Sequence, residues 1–134
     1  ELDDGGWTRA VLEASMGTDM VIVEGAGGLL SPLSWDRTLL DLATIWDADA
    51  LVVAPNRLGV ISHTRLTLSA LRDAGVTPRA VVLSECPTRD GSIVSNAESL
   101  RRLEPGLPII ELPRLPAPID ASTALAPLAQ ELAP

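Results

Sequence analysis

The stretch Val21-Ile22-Val23-Glu24-Gly25-Ala26-Gly27-Gly28-Leu29-Leu30-Ser31-Pro32-Leu33 decides how the rest of the chain is read. The apolar run from Met20 to Val23 predicts a β-strand buried on both faces. It ends in a lone carboxylate, Glu24, followed by Gly25, Ala26, Gly27 and Gly28. Open α/β sheets bind ligands outside the carboxyl ends of their parallel strands, and glycine lacks the Cβ that keeps a ligand away from the backbone. On this reading Glu24 and the glycines face a ligand. A tight turn, whose glycines only supply positive φ and whose glutamate is solvated, fits the spacing equally well.

On either side, helical and strand-like patterns alternate. Trp7, Ala10, Val11 and Ala14 predict a helix from about Trp7 to Met16, closed by Gly17. Leu39, Leu42, Ala43 and Trp46 form a second helical stripe, which starts at Asp36 or Thr38 and ends near Asp47. Ala50 to Ala54 reads as a central parallel strand stopped by Pro55. Ser62 is placed to cap a helix that buries Leu68, Leu71 and Ala74, with Gly75 at its end. A third strand runs from Ala80 to Leu83, and Ser95 with Glu98 has the spacing of a capping box for a helix that buries Ala97 and Leu100. Ile109 to Leu112 reads as a last short strand. The segment 116–134 is proline-rich, with Leu125, Leu128 and Leu132 at helical spacing around Pro127.

Four strands separated by helices, with no hairpin signal, predict a doubly wound parallel α/β sheet in a single domain spanning 1–134. Three loops then meet at its carboxyl edge: Glu24 with the glycines, Asn56 through His63, and Ser84 through Asp90.

Composition narrows the function classes. The chain has 134 residues, 46% of them apolar, enough for one hydrophobic core. A net charge of −8 disfavours nucleic acid and acidic membranes as partners. No apolar run approaches the roughly 20 residues of a membrane-spanning helix, and no charged-then-apolar leader opens the sequence, so a cytoplasmic protein is expected. The first residue is Glu, which points to a processed, trimmed or partial chain. One cysteine, Cys86, excludes an intrachain disulfide, and a single histidine, His63, leaves too little for zinc. A carboxylate-and-water metal such as magnesium remains. All ten basic residues are arginines, so the chain contains neither a Walker A lysine nor a Schiff-base lysine.

Val23-Glu24-Gly25-Ala26-Gly27-Gly28 and, one βα unit later, Leu58-Gly59-Val60-Ile61-Ser62-His63 resemble the ATP-dependent dethiobiotin synthetases of biotin biosynthesis, in order from about Thr18 to Pro118. Related P-loop synthetases acting on cobyrinate share the glycine block in variant form. The double glycine after Ala26, combined with the Leu-Gly-x-Ile-x-His loop, favours the dethiobiotin family. The resemblance implies a P-loop NTPase-like fold whose P-loop unit, with its lysine and magnesium-binding threonine, precedes residue 1. It also implies an ATP- and magnesium-dependent ligase that joins CO2 to 7,8-diaminononanoate and closes a cyclic urea, working as a homodimer.

The resemblance assigns roles residue by residue. Glu24 helps hold magnesium, and Gly27 and Gly28 bring backbone N–H groups near the reacting carbamate and phosphate. Gly25 and Ala26 lie against the substrate. Leu58, Gly59, Val60, Ile61 and Ser62 form the loop that receives the diamino acid carboxylate across the dimer interface, as suits a helix N-terminus. Ser84 and Glu85, with Pro113, Arg114 and Leu115, frame the adenine of ATP. Arg57 and Arg114 are placed to add charge near phosphate or carboxylate, and His63 is more simply a structural residue of the first helical turn. Two positions depart from the family: Ser84 and Ser62 each stand where an asparagine is usual, and a hydroxyl does not reproduce the paired donor and acceptor of an amide. Two functions follow as expectations. One is part of a dethiobiotin synthetase, inactive as 134 residues alone. The other is a degenerate binding or dimerisation module of the same fold.

Overall fold

The computed structural model describes residues 4–87, 90–114, 126, 129 and 130. The chain divides into two compact units, Glu1–Ala48 and Asp49–Pro134. The expected tail helix around Leu125, Leu128 and Leu132 lies outside the described residues.

The second unit holds the sheet. Its elements are β1 (Ala50–Asn56), α3 (Val60–Asp73), β2 (Pro78–Glu85), α4 (Ile93–Leu103) and β3 (Ile109–Leu112). The strands are parallel in the order β1-β2-β3, an α/β arrangement as the alternating pattern predicts. The strands advance in one direction, so right-handed crossovers place α3 and α4 on the same face, where the two helices pack against each other and the sheet. The core is built from Ala54 of β1, Val81 and Leu83 of β2, Ile109 of β3, Val60 and Leu68 of α3, and Ala97 and Leu100 of α4. β2 is apolar throughout its middle because it is flanked on both sides; Ala80, Val81, Val82 and Leu83 are all buried.

Four local expectations are corrected here. β1 is an edge of the described sheet, not a central strand, and its Val53 is 62% exposed. It also continues through Pro55, which lies opposite Ser84 in the register. An edge strand tolerates proline because a missing N–H there need not leave a ladder acceptor unpaired. Ser62 is not a cap: α3 starts at Val60 and its N-cap is Gly59, whose φ of 91° lies in the left-handed region that glycine enters without a Cβ clash. The Ser95–Glu98 capping box does not form either, since α4 already begins at Ile93 and Ser95 Oγ donates to Ser92 O.

The first unit contains α1 (Asp4–Ser15) and α2 (Leu39–Ile45). Thr38 caps α2 reciprocally: Asp41 Oδ2 accepts the Thr38 N–H at 2.6 Å, and Thr38 Oγ1 accepts the Asp41 N–H at 3.4 Å. The Thr38 hydroxyl and N–H together hold the Asp41 carboxyl below the ordinary aspartate range. Trp46, just past α2, donates its indole N–H to Thr8 Oγ1 of α1 at 3.1 Å.

The strand expected from Met20 to Val23 is absent, a further correction. These residues belong to none of the three strands, and Ile22 is 77% exposed. A strand is held by ladder bonds to a neighbour, and no described segment pairs with this one. Apolar sequence alone does not make a strand.

Candidate functional site

In the sheet-bearing unit, the carboxyl ends of the three strands enclose a cavity of about 380 Å³. β1 contributes Asn56, and β2 contributes Leu83, Glu85 and, just beyond its end, Cys86. β3 supplies Glu111 and Leu112, followed by Pro113, while Ile93 at the start of α4 closes the side. The position is the one that parallel α/β topology favours, because strand ends release their loops there. Leu83 and Glu85 reach the cavity together because residues two apart share one face of a strand.

Of the predicted nucleotide-framing residues, Glu85 and Pro113 line this cavity. Arg114 joins them through its backbone, donating its N–H to Glu85 Oε2 at 3.0 Å and so tying the end of β3 to the end of β2. Ser84 sits within the ladder, opposite Pro55 on one side and Leu112 on the other, and does not line the cavity. Leu115 lies outside the described residues. Asn56 and Cys86 lie in the edge loops read from sequence but had no assigned role, and Ile93 and Glu111 were not singled out, although strand alternation from Pro113 points to Glu111.

The loop after β1 is held by polar groups from the loop after β2. Asp90 Oδ2 accepts the Leu58 N–H at 2.8 Å, and Asp90 Oδ1 accepts the Ser92 N–H at 2.9 Å and the Ser92 hydroxyl. These bonds, the Ser92 hydroxyl foremost, keep the Asp90 carboxyl below the ordinary aspartate range. Asn96 of α4 is 3% exposed and donates from Nδ2 to Asn56 Oδ1 at 2.8 Å.

Beyond Leu58, the Val60 side chain is in the core and its N–H donates to Arg57 O, so a ligand cannot meet that side chain. The His63 N–H closes the first helical turn on Gly59 O, and the Ile61 and Ser62 N–H groups have no acceptor among the described residues. Backbone donors at a helix start suit an anion. The His63 side chain is exposed.

Glu24, Gly25, Ala26, Gly27 and Gly28 lie in the first unit. Glu24 is exposed, and no group of three or more His, Cys, Asp or Glu residues able to hold a metal occurs among the described residues. The glycines have partners of their own. A Cβ on Gly25 would come within 2.5 Å of the Leu39 side chain, so that position is closely packed. Gly27 has a φ of 89°, and Ser31 Oγ accepts the Gly28 N–H at 2.8 Å while the Ser31 N–H donates to Gly28 O. The loop is thereby closed on itself by Ser31.

Residues 7–121 match the family model described as an AAA domain. The chain belongs to this family. Among curated proteins it is similar to the ATP-dependent dethiobiotin synthetase BioD of Anaeromyxobacter sp. (strain Fw109-5), 42% identical over 95 residues that cover 70% of this chain and 43% of that protein. The enzyme of the same name from Caulobacter sp. (strain K31) is 38% identical over 116 residues, 84% of this chain and 49% of that protein. That from Rhodococcus jostii (strain RHA1) is 47% identical over 76 residues, 56% of this chain and 33% of that protein. The chain thus spans less than half the length of these relatives. No helix among the described residues is long and apolar enough to cross a membrane.

Proposed function

We propose that this AAA-family chain forms the second half of an ATP-dependent dethiobiotin synthetase, which joins CO2 to 7,8-diaminononanoate and works as a cytoplasmic homodimer. The observation that carries this reading is the 42% identity to the Anaeromyxobacter enzyme of that name. The cavity at the ends of β2 and β3 supports it, because Glu85 and Pro113 are residues the resemblance gives to the nucleotide.

In this reading the cavity receives the base. The Asn56 amide and the Glu85 carboxylate supply polar atoms at its wall, and Leu83 and Ile93 supply apolar surface. With Ser84 in the ladder, discrimination among nucleoside triphosphates is modest, on the order of tenfold. The α3 start takes the carboxylate of the diamino acid on the Ile61 and Ser62 N–H groups. In the glycine loop, the Gly28 N–H reaches a substrate once Ser31 Oγ gives it up.

Magnesium binds typically through one or two carboxylates, completed by water and phosphate oxygens, so a lone exposed carboxylate such as Glu24 fits one position of its shell. There the ion would neutralise charge developing on the transferred phosphoryl group.

The test is phosphate release with ATP, magnesium, bicarbonate and 7,8-diaminononanoate. The chain alone, lacking any lysine, should show none. Adding a separately expressed segment that bears the Gly-Lys-Thr loop of a relative should restore turnover, and Glu24→Gln should then reduce it about 100-fold with the fold intact. Turnover by the chain alone would refute the split-site reading. Failure of rescue, with both parts folded, would leave a non-catalytic module of the same fold.

A further inference from the structure

The start of α3 has no side-chain cap. The chain reaches it through Asn56, Arg57 and Leu58, and Gly59 then takes a left-handed conformation. Such a loop benefits from external fixing if the helix start is to stay in one place, because no side chain of its own caps the free N–H groups there. The fixing comes from the neighbouring βα connection.

Together with the backbone from Asn56 to Leu58 the bonds form a ring, in which Asn96 donates to both sides and Asp90 accepts from both sides. The Leu58 N–H donates to Asp90 Oδ2, and the Ser92 hydroxyl donates to Asp90 Oδ1. Ser92 Oγ in turn accepts from Asn96 Nδ2 at 3.2 Å. The same amide nitrogen donates to Asn56 Oδ1 at 2.8 Å, returning the ring to the end of β1. Asn96 has two amide hydrogens, which Asn56 Oδ1 and Ser92 Oγ take at the shorter distances, with Arg57 O a longer third acceptor at 3.5 Å. Asn96 is buried, so its amide must be satisfied within the protein. Neither Asp90 nor Asn96 belongs to the motifs that carry the family resemblance.

We propose that Asp90 and Asn96 are positioning residues for the Asn56–Ser62 loop, locking the anion-receiving start of α3 to the connection that frames the cavity. The proposal rests on the functional reading above, which gives that loop to the diamino acid and the cavity to the nucleotide. Asp90 fixes the loop through a backbone N–H, and Asn96 fixes the strand end through a side chain that itself lines the cavity. A ligand that moves Asn56 therefore acts on the α3 start through Asn96, Ser92 and Asp90. In this way the two substrates of the proposed reaction would share one hydrogen-bonded frame.

The experiment is residue-resolved amide hydrogen exchange on the full 134-residue chain and on its Asp90→Ala, Asp90→Asn and Asn96→Ala variants. In Asp90→Ala the Leu58 amide should exchange at least about tenfold faster, the loss expected for a hydrogen bond to a charged acceptor. The amides of Val81 and Val82, in the central strand, should hardly change. Asp90→Asn should fall between the two, since one of the two acceptor oxygens becomes a donor. Unchanged Leu58 exchange in both Asp90 variants overturns the proposal. If Asp90→Ala or Asn96→Ala accelerates every amide together, Asp90→Asn decides: selective acceleration at Leu58 supports the lock, and a uniform or absent effect refutes it.

Titrations of the same chains with ATP and with 7,8-diaminononanoate provide the second readout. Asp90→Ala should weaken the diamino acid more than ATP, and an equal loss of both would contradict a positioning role at α3. These titrations are run with the separately expressed Gly-Lys-Thr segment added, since that segment is expected to complete both sites. A wild-type assembly that binds neither ligand counts against the functional reading, while the exchange data still judge the lock.

Discussion

Residues 49–114 and residues 5–48 have similarly apolar sequences and very different interiors. All of the buried hydrophobic residues among those described belong to the former except Leu42. The latter expose Leu12, Met16, Met20, Ile22, Leu30 and Trp35, the last at 96%. The difference comes from pairing. Each apolar strand of the sheet-bearing unit finds a parallel neighbour, and the helix between them covers the face so formed. Met20–Val23 has the same kind of sequence but no strand partner among the described residues, so Met20, Ile22 and Val23 stay exposed. Apolar content therefore reports a demand for burial, and topology decides whether the demand is met.

The largest expected effect tests this contrast directly. Leu68 is fully buried, and Leu68→Ala should destabilise the sheet-bearing unit by about 2–5 kcal/mol in urea unfolding. Ile22→Ala should change stability by less than about 0.5 kcal/mol, as at other exposed positions. A comparable loss from both would mean that Ile22 is buried in solution and would break the comparison. Repeating the pair with the separately expressed partner segment sharpens it, because a segment that covers Met20–Val23 should make Ile22→Ala costly.

An intermediate effect is expected at Glu104, which is buried and accepts from Arg65 at 3.0 Å and Arg72 at 2.9 Å. Burial works against its charged form, but the hydrogen bonds from Arg72 and Arg65 outweigh it, and the carboxyl stays below the ordinary glutamate range. Its contribution is therefore complete above the ordinary glutamate value and fades as the pH falls through the lower value of the folded chain. Both guanidinium groups are about half exposed, which limits the gain. Glu104→Gln should cost about 1–2 kcal/mol at neutral pH and flatten the acid limb of the stability curve. An unchanged acid limb would show that the pair does not contribute.

The smallest effect concerns the first unit, where Thr38→Ala removes the cap of α2 and should cost about 1 kcal/mol. Local unfolding of α2, followed by amide exchange at Leu42, is the measurement. No change there would mean that α2 is held by its surroundings and not by its own cap.

These elements also show what was legible in the sequence. Ile109–Leu112 and the start of β1 at Ala50 were readable because short apolar runs flanked by turn residues carry their own boundaries. α2 was readable from its stripe and its capping threonine. The Met20–Val23 strand was misread because a ladder partner is not a local property. The α4 start was displaced because Ser95 has the spacing of a cap, whereas the helix begins after Asp90 and Ser92 have formed their own turn. Glu85 and Pro113 were assigned through the family resemblance, whereas Ile93 and Asn96 depend on how a helix start is brought to the end of a strand across tens of residues.

Cys86 has a practical consequence. It is the sole cysteine of the chain and stands in the wall of the cavity, partly accessible to solvent. A thiol-reactive fluorophore or spin label would therefore attach at one place, beside the volume assigned to the nucleotide base. The chain carries its own attachment point for a probe of that cavity, with no engineered residue needed.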